Sequence, residues 1–462
     1  MVSALLLLRQ GLSDLPIHCL MEDVNGDWNI ALSVQSGEVP GLFDTHLQKF
    51  IGTSDFVVTL TSAFHDTQQS PITALELVLD AATNRPGVQT ASWSMIYDEG
   101  VVIQLVSDDS TIILYGQFEY EEDPKFQGLK YSWVRQDGST PGYVSNCNKI
   151  PRGWAIHRDR SGTTTSYFVG TKAVSRREEG GRSGWFSWVP WIYETVANAW
   201  TSGRRGLSPV TLLNENLPSE ALKQTSQGDC GSCFVLAFAH AFEVTLKRKL
   251  GGLSQTTNGG SLEPDHAHSF SIKLDREAML SCSYSSQGCN GGYYQSLALD
   301  LMVTGIPVSG CMDTDLHRLS SRLNKAQQCD AHCYKDSTEL YYPAGFVELR
   351  TQERIEEWIR EVGPVPVAIN LPNSPVVGMV EIDNTVKGSW NFVTHGVVIL
   401  GWGQEGGVPF WEVYNPWGGE MGLMKIRRSE RDGVLEQYAL GIKVDLCRGA
   451  SAQSFSSSIQ CN

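Results

Sequence analysis

Two cysteines separated by two residues, Cys230 and Cys233 in "QGDCGSCF", stand directly before a long apolar stretch. The stretch "CFVLAFAHAFEVTLKRKLGG" repeats its apolar residues at helical spacing, becomes basic near its end and finishes in glycine. It therefore predicts a helix from Cys233 to Gly251. A C-x-x-C pair at a helix start fits three chemistries: a redox dithiol, half of a zinc site, or a structural cysteine beside a nucleophile.

The cysteine count and the beginning of the chain bear on the cellular compartment. Eleven cysteines occur among 462 residues, and in an oxidising compartment an odd count most simply means disulfide pairs plus one thiol. The opening "MVSALLLL", with small residues near Ser13, is interpreted as a short signal peptide over residues 1–13. It is too short to span a membrane, which needs about 18 apolar residues. We expect a protein of the secretory pathway, either secreted or held in a lysosome-like acidic compartment.

The charge of the chain excludes one class of partner. A formal net charge of -15 at pH 7 would repel the phosphates of nucleic acids, so no nucleic acid partner is expected, whereas peptide or protein substrates remain possible. The pair His266 and His268 in "DHAHS" has no third ligand at useful spacing, so no metal site is predicted.

Changes of pattern along the chain predict its domains. Residues 14–153 contain β-branched and aromatic runs broken by polar turns, as in "WSMIYDEGVVIQLVSDDSTIILYGQFEY", and predict an antiparallel meander that closes into a β-barrel or a sandwich. Residues 154–216 are charged and rich in glycine, and are interpreted as a linker or a removable pro-segment. Residues 217–446 mix helical and strand patterns, and residues 447–462 form a C-terminal tail.

Three residues suggest nucleophilic catalysis. Cys233 would stand at the N-terminus of its helix, where backbone amides and the helix dipole lower the pKa of a thiol. His395 lies at the head of an apolar strand in "THGVVILGWG", and Asn415 lies at the end of the next strand, "FWEVYN". An imidazole there could take the thiol proton while the amide oxygen held its other ring N–H. A redox pair also uses a helix N-terminus, so the dipole alone does not discriminate.

Four motifs, in order, carry a family resemblance. "QGDCGSCF", "LSCSYSSQGCNGGYY", "THGVVILGWG" and "YNPWGG" resemble the nucleophile, disulfide-loop, histidine and asparagine segments of the papain family of cysteine peptidases. The resemblance implies an α+β fold, with a two-lobed papain-like domain made of a helical lobe and a β-barrel lobe. It implies that Cys233 is the nucleophile, His395 the general base and then acid, and Asn415 the group that orients the histidine. Gln227 would donate to the oxyanion together with the Cys233 backbone N–H.

The same resemblance assigns the other cysteines and the substrate contacts. Cys230 would pair with Cys289 and brace its loop, which leaves Cys233 as the catalytic thiol. The other implied disulfide cysteines are Cys19 with Cys147, Cys282 with Cys329, Cys311 with Cys333, and Cys447 and Cys461. The implied substrate-binding residues are Asp14, Gly231, Gly291, Gly292 and Leu435.

The N-terminal part resembles one subgroup of that family. "DLPIHC" and "YVSNCNKIPRGW" are similar to segments of the cathepsin C-like dipeptidyl peptidases, whose added β-barrel, the exclusion domain, blocks the far end of the cleft. In that subgroup the carboxylate of an N-terminal aspartate, matched here by Asp14, meets the free amine of the substrate. The resemblance implies an exopeptidase that releases dipeptides from free N-termini through a thiolate–imidazolium pair. It also implies a homo-oligomer, a tetramer in that subgroup.

Some residues depart from the family pattern. Pro416 replaces a serine, the segment between Leu217 and Gln227 is shortened, and Gln295 stands where the subgroup has a chloride-associated tyrosine. No cofactor is required, and the chloride that the resemblance would allow lacks its matching tyrosine. Two alternatives remain open: an endopeptidase whose barrel only regulates it, and a catalytically silent papain-like binding module.

Overall fold

The computed structural model describes residues 19, 21–33, 54–64, 79–96, 100–122, 143–160, 162–173, 210–211, 226–228, 230–256, 272–283, 285–286, 288–312, 329, 332–335, 339–349, 351–369, 379–380, 395–419, 422–428 and 439–446. The interpretations of residues 1–13, Asp14, Leu435, Cys447 and Cys461 lie outside the described residues. The same is true of His266 and His268 and of residues 174–209 of the predicted linker.

The N-terminal part forms a closed antiparallel barrel of eight strands in the order β1-β10-β9-β6-β5-β4-β3-β2. A short helix, α1 (Met21–Val24), precedes it. The barrel strands are β1 (Gly26–Leu32), β2 (Ser54–Phe64), β3 (Leu79–Thr83), β4 (Thr90–Ile96), β5 (Gly100–Val106), β6 (Ser110–Gln117), β9 (Lys149–Asp159) and β10 (Gly162–Lys172). Strands β7 (Glu119–Glu122) and β8 (Tyr143–Asn146) form a separate hairpin.

The predicted boundary of this domain at residue 153 is wrong. Strand β9 runs across it, and β10 lies wholly beyond it. Strand β10 pairs with β1 and thereby closes the barrel, because a sheet can close only when its last strand reaches its first. The barrel therefore extends at least to Lys172, and residues 154–172 belong to it rather than to a linker.

The barrel strands bury apolar residues on both faces, which explains their continuous apolar runs. One face of β5 and β6 fills the barrel interior beside Trp28 and Trp93, with Ile103 and Leu114 almost fully buried there. The opposite face packs in a cluster with the peptidase-like part. The barrel residues of that cluster are Ile96, Val102, Ile113, Tyr115, Trp154, Ile156 and Tyr167. Each Å² of apolar surface that is buried contributes about 25 cal/mol of stabilisation, so this contact stabilises the protein.

His395 begins a strand of a sheet that has six described strands. Strand β16 (His395–Glu405) pairs with β11 (Val210–Thr211), β14 (Val365–Ile369) and β17 (Val408–Tyr414). Strand β18 (Leu423–Arg427) continues from β17, and β15 (Met379–Val380) runs parallel to β18. A separate sheet contains β12 (Ile306–Pro307), β13 (Leu340–Glu348) and β19 (Leu440–Asp445). The predicted strands around His395 and before Asn415 are therefore confirmed.

This part also contains helices, one of which begins at Cys233. They are α2 (Cys233–Thr256), α3 (Arg276–Cys282), α4 (Tyr294–Thr304), α5 (His332–Lys335) and α6 (Gln352–Glu361), with a 3-10 turn at Gly288–Asn290. The predicted start of α2 is confirmed, but the helix continues five residues past Gly251. Glycine inside a helix costs only about 1 kcal/mol, which the buried α2 tolerates. The division of this part into two lobes stays a prediction.

Four disulfides connect eight of the nine described cysteines, in the pairs that the resemblance implied: Cys19–Cys147, Cys230–Cys289, Cys282–Cys329 and Cys311–Cys333. The first fastens the start of the barrel to the turn before β9. Disulfides of this number are typical of proteins from oxidising compartments. Among the described helices, none is long and apolar enough to cross a bilayer.

Candidate active site

Cys233 is the first residue of α2 and is fully buried. Within the described part of the chain it is the cysteine that takes no part in a disulfide. The preceding cysteine is held by the Cys230–Cys289 bond, and the N–H of Gly231 donates to the carbonyl of Cys289 (2.9 Å). The turn before the helix is therefore braced on one side, and the thiol sits where the helix dipole favours an anion.

The strand of His395 begins beside that helix. A Cβ built on Gly396 would lie 3.2 Å from the backbone nitrogen of Phe234, and it would collide with the hydroxyl of Tyr294. Any side chain at position 396 would therefore push β16 away from the start of α2. The glycine that follows the histidine allows the strand and the helix to approach closely.

His395 and Asn415 are joined by a buried hydrogen bond of 2.7 Å between Nε2 and Oδ1. The backbone N–H of Trp417 also donates to Asn415 Oδ1 (3.3 Å), which identifies that atom as the acceptor. Nε2 of His395 must then carry the proton, because a hydrogen bond needs a donor. Nδ1 is consequently the ring nitrogen left to exchange a proton with a thiol.

Trp417 is a site residue that the sequence reasoning missed. Its ring lies 4.7 Å from the ring of His395, between centroids, and its backbone supports Asn415. An apolar ring against the His395–Asn415 pair lowers the local dielectric and strengthens that hydrogen bond. The signal was available in "YNPWGG", where an aromatic residue follows the asparagine by two positions.

Gln227 ties the two halves of the site together. Its backbone N–H donates to the carbonyl of Pro416 (2.9 Å), and its side-chain Nε2 donates to the carbonyl of Cys230 (3.0 Å). Pro416 lacks an N–H, yet its carbonyl forms this link between the segments of Cys233 and Asn415. A primary amide carries two N–H groups, and the second is the one that can serve an oxyanion.

The glycines assigned to substrate contact also have a reason within the chain itself. A Cβ on Gly231 would lie 2.6 Å from the carbonyl oxygen of Cys289, and one on Gly292 would lie 2.6 Å from Cβ of Ser286. Gly291 has φ +122, a backbone conformation that favours glycine. These three glycines allow the disulfide loop to pack directly against the turn that carries Cys233.

Burial controls the protonation of His395. It lowers the pKa of His395 to about 4, and the hydrogen bond to Asn415 opposes this lowering. With a neutral thiol nearby, the imidazole is therefore uncharged above about pH 4. A thiolate at Cys233 would favour the imidazolium, because a neighbouring opposite charge raises the pKa of a base. The two groups would then titrate as a pair rather than separately.

His240, further along α2, makes a prediction about acid stability. Burial, together with the charge of Arg276, lowers its pKa from 6.5 to about 3. The unfolded chain therefore binds more protons than the folded chain between pH 6.5 and 3, so stability is lost as the pH falls through that window. We expect His240→Phe, which can keep the ring contact with Tyr414, to reduce this loss by about 3 kcal/mol at pH 4.

The measurement is urea denaturation of both proteins at pH 7 and pH 4. His332→Gln, at an exposed position, is the matched control and should follow the wild-type pH dependence. Equal losses of stability for the wild type and His240→Phe would show that His240 is protonated in the folded chain.

The described residues show where some of the other predicted groups of the site lie. No group of three histidine, cysteine or acidic side chains there is close enough to hold a metal ion. Gln295 lies buried in the first turn of α4. Asp14 and Leu435 fall outside the described residues, so their assignment to substrate binding stays a prediction.

Comparison with known proteins identifies the part of the chain that contains this site. Residues 218–442 match the family described as papain family cysteine protease. A viral cathepsin of Heliothis zea nuclear polyhedrosis virus is 25% identical over 233 residues, which are 46% of this chain and 51% of that protein. A cathepsin L of Sarcophaga peregrina is 26% identical over 216 residues, which are 45% of this chain and 55% of that protein.

The chain thus spans about half the length of the curated relatives it matches. Among solved structures, procathepsin L 3 of the Tenebrio molitor larval midgut is 19% identical, with a TM-score of 0.36, covering 53% of this chain and 72% of that one. This match contains the buried Cys233, His395 and Asn415, so residues 218–442 are the part of the chain that is similar to papain family cysteine proteases.

Proposed function

We propose that this protein is a cysteine peptidase that releases dipeptides from the free N-termini of peptides and proteins. The observation that carries the peptidase activity is the buried His395–Asn415 hydrogen bond, on a strand that begins beside the helix of Cys233. A proton acceptor oriented by a third group, next to a cysteine at a helix N-terminus, is the arrangement that nucleophilic catalysis requires.

The proposed reaction uses only groups of the chain. His395 takes the proton of Cys233, and the thiolate attacks the carbonyl carbon of the scissile bond. The resulting oxyanion accepts from the Cys233 backbone N–H and the Gln227 amide. His395 then gives its proton to the departing amine, which leaves a thioester. Water, deprotonated by His395, attacks the thioester and restores the thiol, so no cofactor is needed.

The barrel supports the dipeptide specificity. It packs against the protease domain through a shared apolar cluster, and its resemblance to an exclusion domain assigns it a role at the end of the cleft. A domain fixed there would leave room for two substrate residues, and an anion near the amine would reject a continuing chain. The four described disulfides fit a secretory or lysosome-like location, where such substrates occur together with an oxidising environment.

Hydrolysis of paired dipeptide amides, one with a free amine and one with an acetylated amine, tests this proposal. A dipeptidyl peptidase should hydrolyse the free-amine substrate at least about a hundredfold faster, because only that substrate makes the charged contact. Equal rates on both substrates, with cleavage inside longer peptides, would establish the endopeptidase instead. No hydrolysis, and no labelling of Cys233 by an epoxide, would establish the silent binding module.

A substitution at Asp14 tests the proposed dipeptide specificity. If its carboxylate meets the substrate ammonium once residues 1–13 are removed, Asp14→Ala should lower dipeptide release about ten- to a hundredfold, since such charge-assisted hydrogen bonds contribute about 1.5–3 kcal/mol. Acetylated substrates should be affected less than twofold, because they never form the contact. Asp23→Ala, another acid near the start of the chain, is the control and should leave both rates unchanged. An unaltered ratio of the two rates in Asp14→Ala would remove the exopeptidase mechanism.

A further inference from the structure

We infer that Asp300 is a positioning residue of the protease site, through which the barrel holds one wall of that site in place. The wall consists of residues 283, 285–286 and 288–292, called here the cleft segment. This inference rests on the proposed role of Cys233, but it concerns a different group, in the middle of α4, and a different part of the chain, the barrel.

Asp300 is 1% exposed and gathers the start of the cleft segment around one carboxylate oxygen. Its Oδ2 accepts from the hydroxyl of Ser283 (2.7 Å) and from both the backbone N–H (2.8 Å) and the hydroxyl (2.6 Å) of Ser285. A buried carboxylate is costly unless several donors satisfy it, and hydrogen bonds to a charged group are stronger than neutral ones. The charge therefore holds the side chain of Ser283 and both the backbone and the side chain of Ser285.

The barrel contributes two hydrogen bonds to the same place. The indole N–H of Trp154 donates to the other oxygen of Asp300 (3.2 Å), and the side-chain amide of Gln117 donates to the carbonyl of Ser285 (2.7 Å). Trp154 is itself held by stacking on Tyr167 at 4.6 Å. Ser285 is therefore held from two sides, by the protease helix α4 and by the barrel.

The cleft segment passes this positioning on to Cys233. Its residue Cys289 is bonded to Cys230 and accepts from the N–H of Gly231, which lies two residues before the thiol. At its other end, Gly292 packs so closely that a Cβ there would lie 2.7 Å from the ring of Phe234. A shift of the segment would be felt on both sides of Cys233, and catalysis is sensitive to displacements of about 1 Å.

The hydrogen bonds around Asp300 indicate which substitutions would break the link between the barrel and the cleft segment. Both carboxylate oxygens of Asp300 accept hydrogen bonds, whereas an asparagine has only one side-chain oxygen. In Asp300→Asn the amide N–H groups would therefore face the hydrogen-bond donors that now bind one of the two oxygens. Trp154→Phe removes the indole N–H together with part of the ring, and it leaves a phenyl ring that can stack on Tyr167. Trp28→Phe is its matched control, because Trp28 is equally buried but donates within the N-terminal part, to the carbonyl of Val24 (2.8 Å).

The first measurement is hydrogen exchange of the full chain over residues 283–292, which needs no substrate. Trp154→Phe and Asp300→Asn should exchange there about tenfold faster than the wild type, whereas Trp28→Phe should match the wild type. Should Asp300→Asn fail to fold, Gln117→Met removes the second barrel bond and takes its place. Exchange in Trp154→Phe equal to that in Trp28→Phe would overturn the inference.

The second measurement is the rate at which an epoxide alkylates Cys233 in the same variants. It should fall about fivefold in Trp154→Phe and stay at the wild-type rate in Trp28→Phe. Faster exchange with an unchanged alkylation rate would make Asp300 merely structural and would also overturn the inference. Failure of the proposed peptidase activity is recognised separately, because the wild-type chain would then hydrolyse neither free-amine nor acetylated substrates.

Discussion

Replacing Cys233 with alanine should abolish peptide hydrolysis, by roughly 10⁴-fold or more, without unfolding the chain. The substitution removes the nucleophile, whereas alanine is the best helix former and fits the buried first position of α2. The Cys230–Cys289 disulfide, which braces the turn, is untouched. Steady-state hydrolysis together with the circular dichroism spectrum and the urea midpoint would measure both parts of the expectation.

A conservative substitution at the nucleophile tests whether the thiol itself is required. Gln295→Glu would not serve as a control, because it would bury a charge. Cys233→Ser keeps the size of the side chain but offers a hydroxyl in place of a thiol, and it should be nearly as inactive, since a hydroxyl is far less acidic. A Cys233→Ala protein that unfolds would mean that the cysteine is structural, and one that still hydrolyses peptides at a substantial rate would mean that it is not the nucleophile.

Removing the neighbouring disulfide should have the opposite effect. The double replacement Cys230→Ala with Cys289→Ala opens a loop with a sequence separation of 59 residues, and we expect it to cost roughly 2–5 kcal/mol of stability. Activity should fall as well, because the turn before Cys233 loses its brace. Urea denaturation and epoxide labelling of Cys233 would measure the two effects.

The disulfide Cys311–Cys333 offers a matched control, with a shorter separation of 22 residues. Its double alanine variant should lose a comparable free energy of unfolding but should label at Cys233 at the wild-type rate. If the two disulfide variants slow the labelling equally, the effect is a general loss of stability and the Cys230–Cys289 bond has no special role at the site.

The chemistry of the site could be predicted because its signals are local. Each signal occupies a few consecutive residues: the C-x-x-C turn, the helix start at Cys233, and the strands of His395 and Asn415. The chemical properties of these side chains follow from their residue types. The four disulfide pairs followed from a resemblance between short segments, and the structure contains those pairs. The end of α2 was predicted wrongly, because glycine was treated as a stop, whereas a glycine inside a helix costs only about 1 kcal/mol and α2 continues to Thr256.

The residues proposed to carry the chemistry could thus be predicted from the sequence alone, since residue type and short spacing are properties of the chain itself. Tertiary structure decided what depends on distant segments. The barrel closes only because β10 meets β1 across more than a hundred residues, and this carried the domain past its predicted boundary. In the sequence, Asp300 is a single acidic residue in an apolar helix. In the structure, Ser285 and Trp154 donate hydrogen bonds to its carboxylate, and the role of a buried charge depends on the donors that folding brings to it.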